Sequence, residues 1–151
     1  MTRSVHVRGD LFRRMVVNGR ADMTPDPSAE AVRQLRLRYR LTAATCDAYA
    51  EDGFTVVAQD VVLGDHLAEM AGLIRRRPLF VVVLAPRPEA VAAREAARGK
   101  NAYDRWTIDL LDEGLRTATP RLGLWLDTSD QTPEETVDEI IERAGAEAGV
   151  R

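Results

Sequence analysis

Residues 79–98 read LFVVVLAPRPEAVAAREAAR. The opening LFVVVL is apolar without alternation and rich in valine, which suits a strand covered on both faces rather than one with a wet side. Ala85-Pro86-Arg87-Pro88 ends the strand, since proline has no N–H for a ladder. Residues 89–98 then continue in alanine, glutamate and arginine, good helix formers, with Val91 the one exception. Arg87, Arg94 and Arg98 stand at i, i+7 and i+11, close to one face of that helix. Three guanidiniums in a row would clamp phosphate oxygens through their planar donor forks. Paired with Glu89 and Glu95, the same stripe would equally be a solvated face.

Outward from this stretch the chain repeats the alternation. Further strand-like runs fall at 4–7, 54–58 (FTVVA) and 122–126 (LGLWL), and helical patterns at 11–17, 29–51, 65–76, 108–117 and 133–144. The long pattern from Ala29 has Ser28 as N-cap and Gly53 as its left-handed stop. The last has Thr132 as N-cap, Pro133 at the first helical position and Glu134 and Glu135 in the first turn. Strands alternating with helices predict an α/β fold, a three-layer sandwich around a mainly parallel sheet. Without a repeat, a low-complexity tract or a linker, residues 1–151 read as one domain.

Composition narrows the function classes. The hydrophobic fraction is 45% and the charged fraction 30%, and no apolar run approaches the roughly 18 residues of a membrane span. The N-terminus lacks a signal-peptide pattern, so a cytoplasmic protein without membrane partners is expected. Net charge is −3, with 21 basic residues that are nearly all arginine. A duplex-binding protein is usually basic overall, so no nucleic-acid partner is expected. The lone Cys46 reads as a small buried hydrophobe.

In a parallel sheet ligands sit at the carboxyl ends of the strands, so the residues that follow each strand matter most. These are Arg8-Gly9-Asp10, Gln59-Asp60, Ala85-Pro86-Arg87 and Asp127-Thr128-Ser129, all expected at one edge. Asp10 is either a base that takes a proton from a substrate hydroxyl or a helix N-cap. Asp60 is either a Mg²⁺ ligand or a turn acid. His6 reads as a half-buried strand residue and His66 as a surface one, while Arg33, Arg36 and Arg40 share a helix face that reads as a solvated stripe. No GxxxxGK[ST] loop is present. Gly99-Lys100 is followed by Asn101 and ends a helix instead of opening one.

Taken together, SVHVRGDLFRRM, FTVVAQDVVLGD, LFVVVLAPRPEAVAAREAARGK and TPRLGLWLDTSDQTPEETVDEI resemble the small-molecule P-loop kinases. The likeness is greatest to the chloramphenicol phosphotransferase-like group, often labelled as AAA-family ATPases. It runs over nearly the whole chain but lacks the family's first strand and Walker A loop. The resemblance implies an ATP-dependent phosphotransferase that acts on a hydroxyl of a small molecule and uses ATP and Mg²⁺. Asp10 would be the base and Asp60 the acid near Mg²⁺. Arg94 and Arg98 would be lid arginines over ATP, residues 98–107 the lid loop, and Asp127, Thr128 and Ser129 the loop beside the adenine. Arg33, Arg36 and Arg40 would lie in the acceptor region. Without the cradle, activity is expected to be weak or absent. A non-catalytic binding or regulatory module on the same scaffold and a nucleotide kinase-like protein are the alternatives.

The absent strand is central in that family, so its loss would separate the strands at 54–58 and 79–84 and leave bare edges that invite self-association. Three explanations offer themselves: a start assigned too far downstream, deliberate trimming, or a degenerate relative. The first is expected, because Met1-Thr2-Arg3 leads straight into a strand.

Overall fold

The computed structural model describes residues 3–98 and 107–150. The expected lid loop therefore lies outside the described residues except at its two ends. The fold is mixed α/β with small parallel sheets, and the described residues gather into two compact units.

One unit holds the chain through Val62 together with Glu69–Arg77. Strand β1 (Ser4–Arg8) runs into helix α1 (Gly9–Arg14), and helix α2 (Ala29–Glu51) leads to strand β2 (Thr55–Gln59). β1 and β2 are parallel, with Ser4 opposite Thr55 and Arg8 opposite Gln59, a pairing that requires a crossover such as α2 between them. α2 starts where Ser28 accepts the N–H of Ala31 at 3.1 Å and stops before Gly53, whose φ is 82°. It buries Ala31, Leu35, Tyr39, Thr42, Ala43 and Cys46 at helical spacing. Leu35 and Tyr39 form a core with Met70, packed by Met23, Val62 and Leu73. Burial pushes the Cys46 thiol up to about 11, the behaviour of a small hydrophobe and not of a reactive thiolate.

The same unit is tied by a group that the sequence does not announce. Asp47, on α2, is buried, and its carboxylate accepts the backbone N–H groups of Arg75 and Arg76 at 3.0 Å and Nε of Arg75 at 3.1 Å. Desolvation would raise its pKa, yet these donors together hold it below the usual carboxylate value.

The other unit holds Leu63–Ala68 and the chain from Pro78 onward, so helix α3 (His66–Leu73) straddles the division. The predicted strand at 79–84 is split at Val81 into β3 (Leu79–Phe80) and β4 (Val82–Leu84). The cause is a change of partner: Val81 N–H donates to Ala148 and Val81 C=O accepts from Leu124, both at 2.9 Å. β4 pairs in parallel with β5 (Leu124–Leu126), whereas β3 pairs antiparallel with an unexpected β6 (Gly149–Val150). Two-sided cover for LFVVVL is incomplete, with Phe80 46% and Leu84 49% exposed.

Helices α4 (Pro88–Arg98) and α5 (Ile108–Glu113) follow β4, and α5 passes into a π-helical turn at Gly114–Ala118, where one continuous helix was expected. Helix α6 (Pro133–Glu147) opens with the capping box of Thr132 and Glu135. Its Ile140 and Ala144 pack with Val82 against Leu124, Leu126 and Ala148. Among the described residues, no helix is long and apolar enough to cross a membrane.

Candidate functional site

In the first unit the carboxyl ends of β1 and β2 bring Asp10 and Asp60 close enough for their charges to act on each other. Asp10 is not an N-cap. It lies in the first turn of α1, after the capping residue Arg8, where a carboxylate complements the helix dipole. Its side chain is 44% exposed, and Oδ1 accepts from Arg13 Nε at 3.0 Å. Arg13 reaches on to Asp22 at 2.8 Å, and Arg20 pairs with Asp22 at 3.4 Å. These contacts fix Asp10 in place while leaving its carboxylate within reach of a ligand.

Asp60 is of a different kind. Its side chain is 5% exposed and lies 3.1 Å from Arg38 Nε, while Oδ1 accepts the N–H of Val61 at 2.8 Å. The Arg38 Nε and Asp60 Oδ2 atoms pair by charge without the alignment of a hydrogen bond. Burial, the dominant influence, raises the Asp60 pKa; Arg38 opposes it and Asp10 adds to it. Asp60 also presses on the start of α1, since a Cβ on Gly9 would sit 2.0 Å from Asp60 Oδ2. A guanidinium already occupies this side of Asp60, so a cation arriving there would have to displace Arg38, and among the described residues no group of three or more His, Cys, Asp or Glu side chains is placed to hold a metal.

The second unit gathers most of the predicted nucleotide residues at the ends of β4 and β5. Ser129 Oγ accepts the N–H of Arg87 at 2.7 Å, and Asp127 Oδ1 accepts both the N–H and the hydroxyl of Ser129. The latter bonds lower the Asp127 pKa. Arg87 grips Asp130 through two bonds of 3.0 and 2.9 Å and reaches Asp127 at 3.3 Å. Arg94 Nη2 donates to the carbonyls of Thr128, Ser129 and Gln131 at 2.5, 3.4 and 3.2 Å, so it straps the loop that follows β5.

Arg98 stands apart from this group, 68% exposed and paired with Glu95 at 3.3 Å. A triphosphate does not fit the cluster as it stands, because the Arg87 donors face carboxylates and Arg94 faces carbonyls. On α2, Arg33 pairs with Glu30 and Arg36 with Glu69, and Arg40 is exposed.

Two residues escape a reading based on strand ends. Arg38 lies off the Arg33/Arg36/Arg40 stripe but at three after Leu35 and four before Thr42, on the buried face of α2, and that spacing is its signal. Arg116 pairs with Asp112 at 2.8 Å and donates to the carbonyls of Ala85 and Pro86 at 3.2 Å, holding the turn after β4. No signal in the sequence marks it.

A comparison with family models finds none that matches the sequence, and a comparison with curated proteins finds no significant relative.

Proposed function

We propose that the chain is an ATP-dependent phosphotransferase acting on a hydroxyl of a small molecule, built as a three-layer sandwich of the P-loop kinase kind, with Asp10 as the general base. The observation that carries this reading is the placement of Asp10: a half-exposed carboxylate at the carboxyl end of a parallel strand, oriented by Arg13 and backed by the buried Asp60–Arg38 pair. As the acceptor oxygen attacks phosphorus, its proton passes to Asp10 and the nucleoside diphosphate leaves. The sequence has no GxxxxGK[ST] loop to cradle the donor's phosphates, so turnover is expected to be weak. Supplied with Mg²⁺-ATP and a panel of small hydroxylated acceptors, the protein should show weak turnover that Asp10→Asn lowers by at least ~100-fold. Turnover that survives the substitution would remove Asp10 from this role.

A second reading is favoured by the strapping of Arg94 to three carbonyls, which occupies the donors that a catalytic clamp would need. On it the chain is a non-catalytic binding module. Saturable binding of a small hydroxylated compound, without phosphoryl transfer and without any effect of Mg²⁺-ATP, would support it over the first.

A further inference from the structure

Residues 18–22 have no regular structure of their own, yet two of their backbone groups are held from α2. Gln34 Oε1 accepts the N–H of Ala21 at 2.9 Å, and its Nε2 donates to the C=O of Gly19 at 2.8 Å and to Glu30 at 2.7 Å. Both amide hydrogens and the carbonyl are therefore used. A flipped amide would turn Nε2 to an N–H and Oε1 to two acceptors, so the orientation of Gln34 is fixed.

The same segment carries the second partner of Arg13. Arg13 bridges Asp10, through Nε at 3.0 Å, and Asp22, through Nη1 at 2.8 Å. An i, i+3 ion pair between half-exposed side chains fixes little by itself. The orientation of Arg13 thus depends on Asp22, and that of Asp22 on the backbone to either side. On one side Met23 packs against the core of Leu35, Tyr39 and Met70, and on the other Gln34 holds Ala21. Gln34 stands one turn before Arg38, so one row of α2 serves both acids of the site. Arg38 faces Asp60 directly, and Gln34 reaches Asp10 through the segment.

We propose that Gln34 is a positioning residue for Asp10, acting through Ala21, Asp22 and Arg13. The part that Asp10 plays rests on the function proposed above; the linkage itself does not. Without Gln34 the backbone of residues 19–21 is released, Asp22 loses its place, and Arg13 is left with Asp10 alone.

Hydrogen exchange followed by NMR reads the linkage without nucleotide or acceptor. In Gln34→Ala the Ala21 N–H should exchange about 10-fold faster, and the Arg13 Nε–H, which Gln34 does not touch, at least ~3-fold faster, while the amides of Leu35 and Tyr39 keep their protection. Asp22→Ala should speed the Arg13 Nε–H as well. The double variant should exchange no faster there than Asp22→Ala alone, since both changes break one path. In turnover, Gln34→Ala should lower kcat about 10-fold and leave KM within about twofold, as expected of a displaced base. An Arg13 Nε–H or a kcat that Gln34→Ala leaves unchanged, or effects of the two substitutions that add, would overturn the proposal. Turnover absent from the wild type, with the exchange pattern as expected, would leave the linkage standing and refute the phosphotransferase reading.

Discussion

Gly9→Ala is the sharpest test of how the first strand pair holds Asp10. Gly9 has no positive φ, so the substitution strains no backbone and reads space alone. The added methyl would lie 2.0 Å from Asp60 Oδ2 and 2.7 Å from its Cγ, more than an ångström inside ordinary contact. Asp60 could swing away only by leaving Arg38 Nε at 3.1 Å and the Val61 N–H at 2.8 Å, at a side chain 5% exposed. Breaking a buried charge pair costs ~3–5 kcal/mol and overpacking ~1–3 kcal/mol, so a loss of about 3 kcal/mol is expected, a large share of a domain's stability.

Urea denaturation followed by circular dichroism reads this as a lower midpoint at constant slope. Gly145→Ala is the control. Its Cβ would meet nothing within 4 Å in α6, and it should stabilise by roughly 0.5–1 kcal/mol. Asp60→Ala in the Gly9→Ala background should cost less than the two changes added, because it empties the colliding space. A Gly9→Ala loss below about 0.5 kcal/mol would refute the packing of Asp60 on the start of α1.

Asp47→Ala leaves the N–H groups of Arg75 and Arg76 without their acceptor and should cost about 3 kcal/mol by the same assay. Because the folded pKa of Asp47 is lowered, its contribution is present above the usual value of 3.8 and is lost as pH falls through the folded pKa, so the Asp47→Ala penalty should shrink in acid. Asp60 has the opposite sign. Its folded pKa is raised, so its contribution is complete below 3.8 and is lost as pH rises through the folded pKa. Measured between pH 3.5 and 7, the stability of the wild type relative to Asp60→Asn should therefore fall as pH rises, and a gap that widened would show that Arg38 outweighs burial. Arg94→Ala should destabilise by about 1–2 kcal/mol with or without nucleotide, as expected of a strap on the loop after β5. A change confined to the nucleotide-bound protein would assign Arg94 to the ligand.

What was legible in the sequence is what local chemistry decides. The bounds of α2 follow from Ser28 and Gly53, and the start of α6 from Thr132 and Glu135, because a cap acts within one turn. Tertiary partners decide the rest. Nothing in LFVVVL marks the point at which Val81 changes its hydrogen-bonding partner, and Gly149–Val150 is a strand only because Leu79–Phe80 lies beside it. Asp47 inside a helix reads as a surface acid, and its donors arrive 28 and 29 residues later in the chain. Asp10 and Asp60 stand out by their places after strands, whereas Arg38, which opposes the effect of burial on Asp60, is marked only by its spacing on the buried face of α2.

The arginines also show why a charge stripe is a poor guide to anion binding. Spacing puts Arg87, Arg94 and Arg98 near one helix face, yet their head groups go to three separate fates: two carboxylates, a row of carbonyls, and a neighbouring glutamate. A phosphate arriving at Arg87 must displace Asp130 and Asp127, and the exchange gains only the difference between two charge-assisted bonds in solvent. Arg38 is paired in a drier setting, where leaving Asp60 would strand a buried charge. Electrostatic function in this chain therefore rests on which carboxylates are fixed, and where, more than on the number of its guanidiniums. Asp10, held by Arg13 and half exposed, is the carboxylate to which the proposed function gives the part of the base.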